Sequence, residues 1–180
     1  MPANNRIISR SSFWENLFKT PAGQNDLEHV LMAMPPFKKF GPKHLSDFLN
    51  LIHNRVYTTG EYIFHQGDPG IALYIIIEGE VVISETHTDG ENYDLTLLSK
   101  GDFFGEIALM DEGTRSASAI ATRNSSLAAI FRPDLDEFIE KYPKKGVEIL
   151  TGISQILATR LKALNQDHIS LLKERIKGGF

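Results

Sequence analysis

The sequence predicts an α+β fold, mainly β: an antiparallel jelly roll, or double-stranded β-helix, flanked by N-terminal and C-terminal helices. Three observations carry that expectation. From Val56 to Arg132 the apolar pattern has a period of 2, in short β-branched and aromatic runs. Glycines cut those runs at close intervals, at Gly60, Gly67, Gly70, Gly79, Gly90, Gly101, Gly105 and Gly113. On either side of the stretch the period is 3.6, so a closed set of short strands lies between two helical segments.

The chain divides at 36 and 132 into an N-terminal helical extension (1–36), a β-roll (37–132) and a C-terminal helical part (133–180). Ser12 and Glu15 form a capping box that opens a short aromatic helix over 13–18, closed by Pro21 and Gly23. Leu27, Val30, Leu31 and Met34 recur at i, i+3, i+4 and i+7, a helix face that ends at Pro35-Pro36. A third helix starts near Pro42 and repeats the pattern at Leu45, Phe48, Leu49 and Ile52. Strands are expected over 62–65, 71–77, 80–85, 93–98, 116–121 and 127–131, with Asp89-Gly90 as a hairpin turn. Pro133 suits the first position of a helix whose first turn holds Asp134, Asp136 and Glu137. Pro143 opens a longer helix with an apolar stripe of Val147, Leu150, Ile153, Leu157, Leu161 and Leu164. Residues 1–10 and 178–180 read as loose ends.

The 180 residues are 42% hydrophobic and 23% charged, with a net charge of −4. That composition suits one globular domain with a modest appendage, able to bury about 70% of its unfolded surface. Cysteine is absent, which excludes disulfide frameworks, thiolate metal sites and cysteine nucleophiles. The longest apolar run, 71–77, is far short of the roughly 18 residues of a membrane span, and the first twenty residues hold no signal-like stretch. A cytoplasmic protein without membrane insertion is expected. Residues 1–132 carry 11 basic and 16 acidic side chains, net −5, and residues 133–180 carry 8 and 7, net +1. Neither part has the charge of a polyanion binder.

One stretch breaks the strand pattern. Phe104-Gly105-Glu106-Ile107-Ala108-Leu109 reads as a glycine entering a short helical turn, whose free backbone N–H groups can accept an anion. Nine residues past Glu106, Arg115 leads through Ser116 and Ala117 into the next strand. An arginine fork can take two oxygens of one phosphate, each charge-assisted bond contributing about 1.5 to 3 kcal/mol. A carboxylate on the same loop would repel that phosphate, so Glu106 suits a hydroxyl. Phosphate on one side and hydroxyl on the other describe a ribose phosphate.

These residues resemble a known family, the cyclic-nucleotide-binding domains of the catabolite activator protein, of kinase regulatory subunits and of cyclic-nucleotide-gated channels. The family's phosphate-binding cassette has the form GE-hydrophobic-AL followed by R-small-A, matched here at 105–109 and 115–117. The likeness extends through 57–68 and 73–81 and covers roughly 37–164. It implies an eight-stranded β-roll that binds cAMP, with cGMP as second choice, and no other cofactor. It further implies that Glu106 accepts the ribose 2′-hydroxyl and Arg115 pairs with the cyclic phosphate. The backbone N–H groups of Ala108 and Ser116 complete the anion cage, Gly105 lets the backbone approach the sugar, and Ile107 and Ala117 belong to the same cassette. Ile83 is implied beside the base, and Ile153, Leu157 and Arg160 in a last helix that covers it. Thr114 replaces a proline common in the family, which predicts a less preorganised cassette. Signalling would pass from Leu109 to the helix carrying Phe138 and Ile139.

The C-terminal leucines 150, 157, 164 and 171 recur every seven residues, and the resemblance makes this helix a candidate for homodimer contact. An effector protein is implied without being identified. The helix-turn-helix domain of the bacterial activators is not found before Phe180, so no DNA partner is expected. No enzyme is expected either: the histidines at 29, 44, 53, 65, 87 and 168 lack metal-ligand spacing, and cyclic phosphodiester hydrolysis needs a His and Asp metal cluster. The competing reading is a vestigial pocket on a protein-interaction or dimerisation module, with Glu106 and Arg115 tied together as a structural ion pair.

Overall fold

The computed structural model describes residues 24–88, 90–107 and 113–177. The helix expected over 13–18, the two loose ends, Asp89, Ala108, Leu109 and the side chain of Leu171 lie outside the described residues. The elements in chain order are α1 (Gln24–Ala33), α2 (Pro42–Leu49), β1 (His53–Tyr57), β2 (Tyr62–Phe64), β3 (Ala72–Glu78), β4 (Glu80–Thr86), β5 (Asn92–Ser99), β6 (Phe103–Phe104), β7 (Ser118–Ala121), β8 (Ser125–Phe131), α3 (Arg132–Lys141) and α4 (Pro143–Lys177). The strands form two antiparallel four-stranded sheets, in the orders β1-β8-β3-β6 and β2-β7-β4-β5. This is the expected roll with helices at both ends.

Strand β3 shows why its run is apolar throughout. Leu73, Ile75 and Ile77 pack among the helices, with Phe40, Phe48, Phe138 and Ile149, while Tyr74 and Ile76 turn inward against Val81, Phe104 and Leu127. The period of 2 sends alternate side chains to two cores, and a strand covered on both faces has no polar side. Phe103 and Phe104 divide the same way, one to each core.

The helical core is held by rings: Phe40 stacks on Phe138 at 6.0 Å, and Phe48 meets Phe138 edge-on at 5.1 Å. At the junction of α3 and α4, the Tyr142 hydroxyl donates to Asp47 on α2. Helix α4 then passes so close to the loop after α1 that a Cβ on Gly152 would lie 2.5 Å from the Pro36 Cα. Beyond that crossing α4 runs toward the mouth of the roll. No helix among the described residues is long and apolar enough to cross a membrane.

Candidate functional site

A cavity of about 590 Å³ opens at the end of the roll between β4, β5, the segment 104–107, the segment 114–117 and α4. Its size is that of a small-molecule site. Ile83, Gly105, Glu106, Ile107, Arg115, Ser116, Ala117 and Arg160 all line it, so most of the expected residues are brought together.

The cassette is clipped in place by backbone bonds to the turn after β2. Arg115 N donates to Asp68 O at 2.8 Å, Gly67 N to Arg115 O at 2.9 Å, and Gly70 N to Gly113 O at 3.2 Å. Thr114 itself forms an isolated bridge with Pro69. The looseness expected from threonine in place of proline is therefore countered by pairing on both sides of it.

Arg115 is 4% exposed. Its Nη1 donates to Gly105 O at 3.0 Å and its Nη2 to Ala72 O at 2.7 Å, while Nε is buried and donates to nothing. Burial holds the guanidinium below its ordinary pKa range, opposed by Tyr74, Asp68 and Glu106. A buried cation whose Nε–H has no partner among the described residues is suited to an anion. Gly105 makes the arrangement possible: its φ is +82°, and a Cβ there would meet Arg115 Nη1 at 2.7 Å and Ala72 O at 3.0 Å.

Glu106 does not pair with Arg115. Its Oε1 lies 3.3 Å from Arg160 Nη1, and Arg160 Nη2 donates to Phe103 O at 2.7 Å. The last helix is thereby tied to the cassette.

Ile153 and Leu157 do not line the cavity. Ile153 is buried in the helical core and Leu157 packs on that core's edge. Residues 153, 157, 160 and 164 follow one another at i, i+4, i+7 and i+11 on a single helix face, but the surface opposite changes along it. The first two positions meet the helical core, whereas Arg160, Ala163 and Leu164 overhang the cavity.

Several wall residues escape sequence reasoning. Phe64 and Phe104 come from strands of three and two residues. Leu95 and Thr96 are sequence neighbours that both line the cavity, and the β4–β5 register shifts between Ile83 and Ser84 beside them. A bulge lets neighbours share one face. Among the described residues, no group of three or more His, Cys, Asp or Glu side chains is placed to hold a metal ion.

The profile of the family described as "Cyclic nucleotide-binding domain" matches residues 54–142. The cyclic AMP receptor protein of Thermus thermophilus is 38% identical over 132 residues, 73% of this chain and 59% of that protein. A cAMP-dependent protein kinase regulatory subunit of Hypocrea atroviridis is 31% identical over 71% of this chain and 26% of its own length. The crystal structure of the Thermus thermophilus catabolite activator protein superposes with a TM-score of 0.66 at 37% identity, covering 77% of this chain and 63% of that one. The chain thus spans less than two thirds of each of these proteins. Because they extend beyond the shared stretch, the expectation of no DNA partner, drawn from Phe180 as the last residue, no longer follows.

Proposed function

The chain belongs to the cyclic nucleotide-binding domain family, and on that premise we propose that it is a non-enzymatic sensor that binds cAMP in preference to cGMP and signals through its last helix. The observation that carries the reading is Arg115: a buried guanidinium that lines the cavity and whose Nε–H has no partner among the described residues. Its Nε and the backbone N–H groups of Ser116 and Ala108 would hold the cyclic phosphate. Glu106, with Oε1 engaged by Arg160, would accept the ribose 2′-hydroxyl on its second oxygen. Ile83, Leu95 and Leu98 would receive the purine, with Leu164 and Ala163 of α4 above it.

Calorimetric titration of nucleotide-stripped protein with cAMP and, in parallel, cGMP tests this. Saturable binding with cAMP the tighter ligand is expected, and Arg115→Ala should weaken it by about 2 to 5 kcal/mol, the effect of unpairing a buried charge. No heat with either nucleotide at two temperatures would overturn the reading.

A second reading concerns partners. Leu161 and Leu164 on α4 are about 60% exposed, Leu95 and Leu97 on the edge strand β5 are 54% and 59% exposed, and Leu164 and Leu95 both line the cavity. Exposed leucines on both elements suit contact with a second copy of the chain or an effector protein. Sedimentation equilibrium with and without cAMP separates homodimer from monomer.

A further inference from the structure

Two aromatic rings, Phe64 and Tyr74, face the Arg115 guanidinium, and a third, Phe104, packs against both of them. Its guanidinium carbon lies 4.1 Å from the Phe64 ring centroid and 5.8 Å from that of Tyr74. Tyr74 stacks on Phe104 at 5.4 Å and 13°, and Phe64 stands 5.8 and 5.9 Å from those two rings.

The contacts on Arg115 restrain different freedoms. The carbonyls of Gly105 and Ala72 fix two nitrogens, yet the guanidinium plane can still rock about the line that joins them. A flat ring against the plane removes that rocking, and an aliphatic side chain of similar volume would fill the space without presenting a face. Phe64 is the ring at cation–π distance, and it also lines the cavity.

Resting on the reading that this cavity takes a cyclic nucleotide, we propose that Phe64 is a positioning residue for the anion: its ring sets the plane of the Arg115 guanidinium so that the unused Nε–H meets the phosphate. Phe64 then acts on the phosphate end of the ligand and not on the purine. The two cyclic nucleotides gain equally from it.

The test is a double-mutant cycle read by titration with cAMP on wild type, Phe64→Leu, Arg115→Lys and the double variant, with Phe64→Tyr as the conservative control. Phe64→Leu should weaken cAMP and cGMP by the same factor, about 3- to 30-fold from the cation–π range. Phe64→Tyr should stay within about twofold of wild type, since it keeps the face. In the Arg115→Lys background, which has no guanidinium plane to orient, Phe64→Leu should change the affinity no further. The Arg115 Nε–H resonance should be sharp in wild type and broadened in Phe64→Leu, a signature that mere wall packing would not produce. Equal losses in both backgrounds, or unequal losses for cAMP and cGMP, would make Phe64 a wall of the base pocket and overturn the proposal. Wild-type protein that takes neither nucleotide would overturn the sensor reading and this proposal together.

Discussion

Arg160 reaches from the last helix to Glu106, with Nη1 3.3 Å from Oε1, and at the same time lies over the Phe103 ring at 4.8 Å and donates to the Phe103 carbonyl. One side chain therefore joins the helix that overhangs the cavity to the carboxylate at its mouth. Phe103 also belongs to the helical core, so the three contacts knit core, cassette and last helix together.

Arg160→Ala should release the distal part of α4 without unfolding the roll. The pair is partly screened, so a local loss of roughly 1 to 2 kcal/mol is expected, seen as about 5- to 30-fold faster amide exchange near 158–165 in nucleotide-free protein. Exchange in β3 and β8 should stay unchanged.

Gly105→Ala combines a left-handed backbone with a close approach. The conformational cost is about 1 to 2 kcal/mol, and the added methyl would press on Ala72 O and Arg115 Nη1. A lower midpoint in chemical denaturation is expected, together with weaker cAMP binding than the stability loss alone would give. Equal binding by the folded fraction would show that Arg115 keeps its place.

The bond from Tyr142 to Asp47 predicts a pH window. The Tyr142 hydroxyl holds the Asp47 carboxyl below its usual range, aided by Lys141, against the opposing effect of burial. Asp47 in return raises the Tyr142 phenol above its own. A depressed carboxylate stabilises the fold above its unfolded pKa of about 4 and loses that contribution as pH falls; a raised phenol stabilises it below about 10 and loses it as pH rises. The difference in melting temperature between wild type and Tyr142→Phe should be present near neutrality and shrink toward both extremes. A difference independent of pH would mean that packing of the ring, not its hydroxyl, holds the junction.

Gly152→Ala places a methyl 2.5 Å from backbone atoms of Pro36. Overpacking of this kind costs about 1 to 3 kcal/mol, so the melting temperature should fall by roughly 3 to 10 °C. Thermal unfolding followed by circular dichroism measures it.

The cassette was legible in the sequence because its chemistry is local. Gly105, Glu106, Arg115, Ser116 and Ala117 lie within thirteen residues, and each has a reason to be its own type. The helices α3 and α4 were legible from Pro133 and Pro143, which stand near the starts of both. What escaped depends on three-dimensional closure. Phe103–Phe104 is too short to display a period, and Leu95 reaches the cavity wall beside a register shift that no alternation pattern records. Ile153 and Leu157, which the resemblance implies in the covering helix, stop short of the cavity, because sharing a helix face does not fix the distance along the axis at which its neighbour changes. Arg160 lines the cavity, yet its bond to Glu106 joins residues 54 positions apart, beyond the reach of any local pattern.

A pivot at Gly152 would give α4 the mechanics of a lever. The helix passes close to the Pro36 backbone at Gly152, and from Gly152 Arg160 lies 8 residues on and Lys177 lies 25. At 1.5 Å per residue these arms are about 12 and 38 Å long. Were the helix to swing as one rod about that contact, a shift of ~1 Å at Arg160 would become ~3 Å at its far end, and a small rearrangement at the Glu106 carboxylate would reach whatever α4 touches about threefold enlarged.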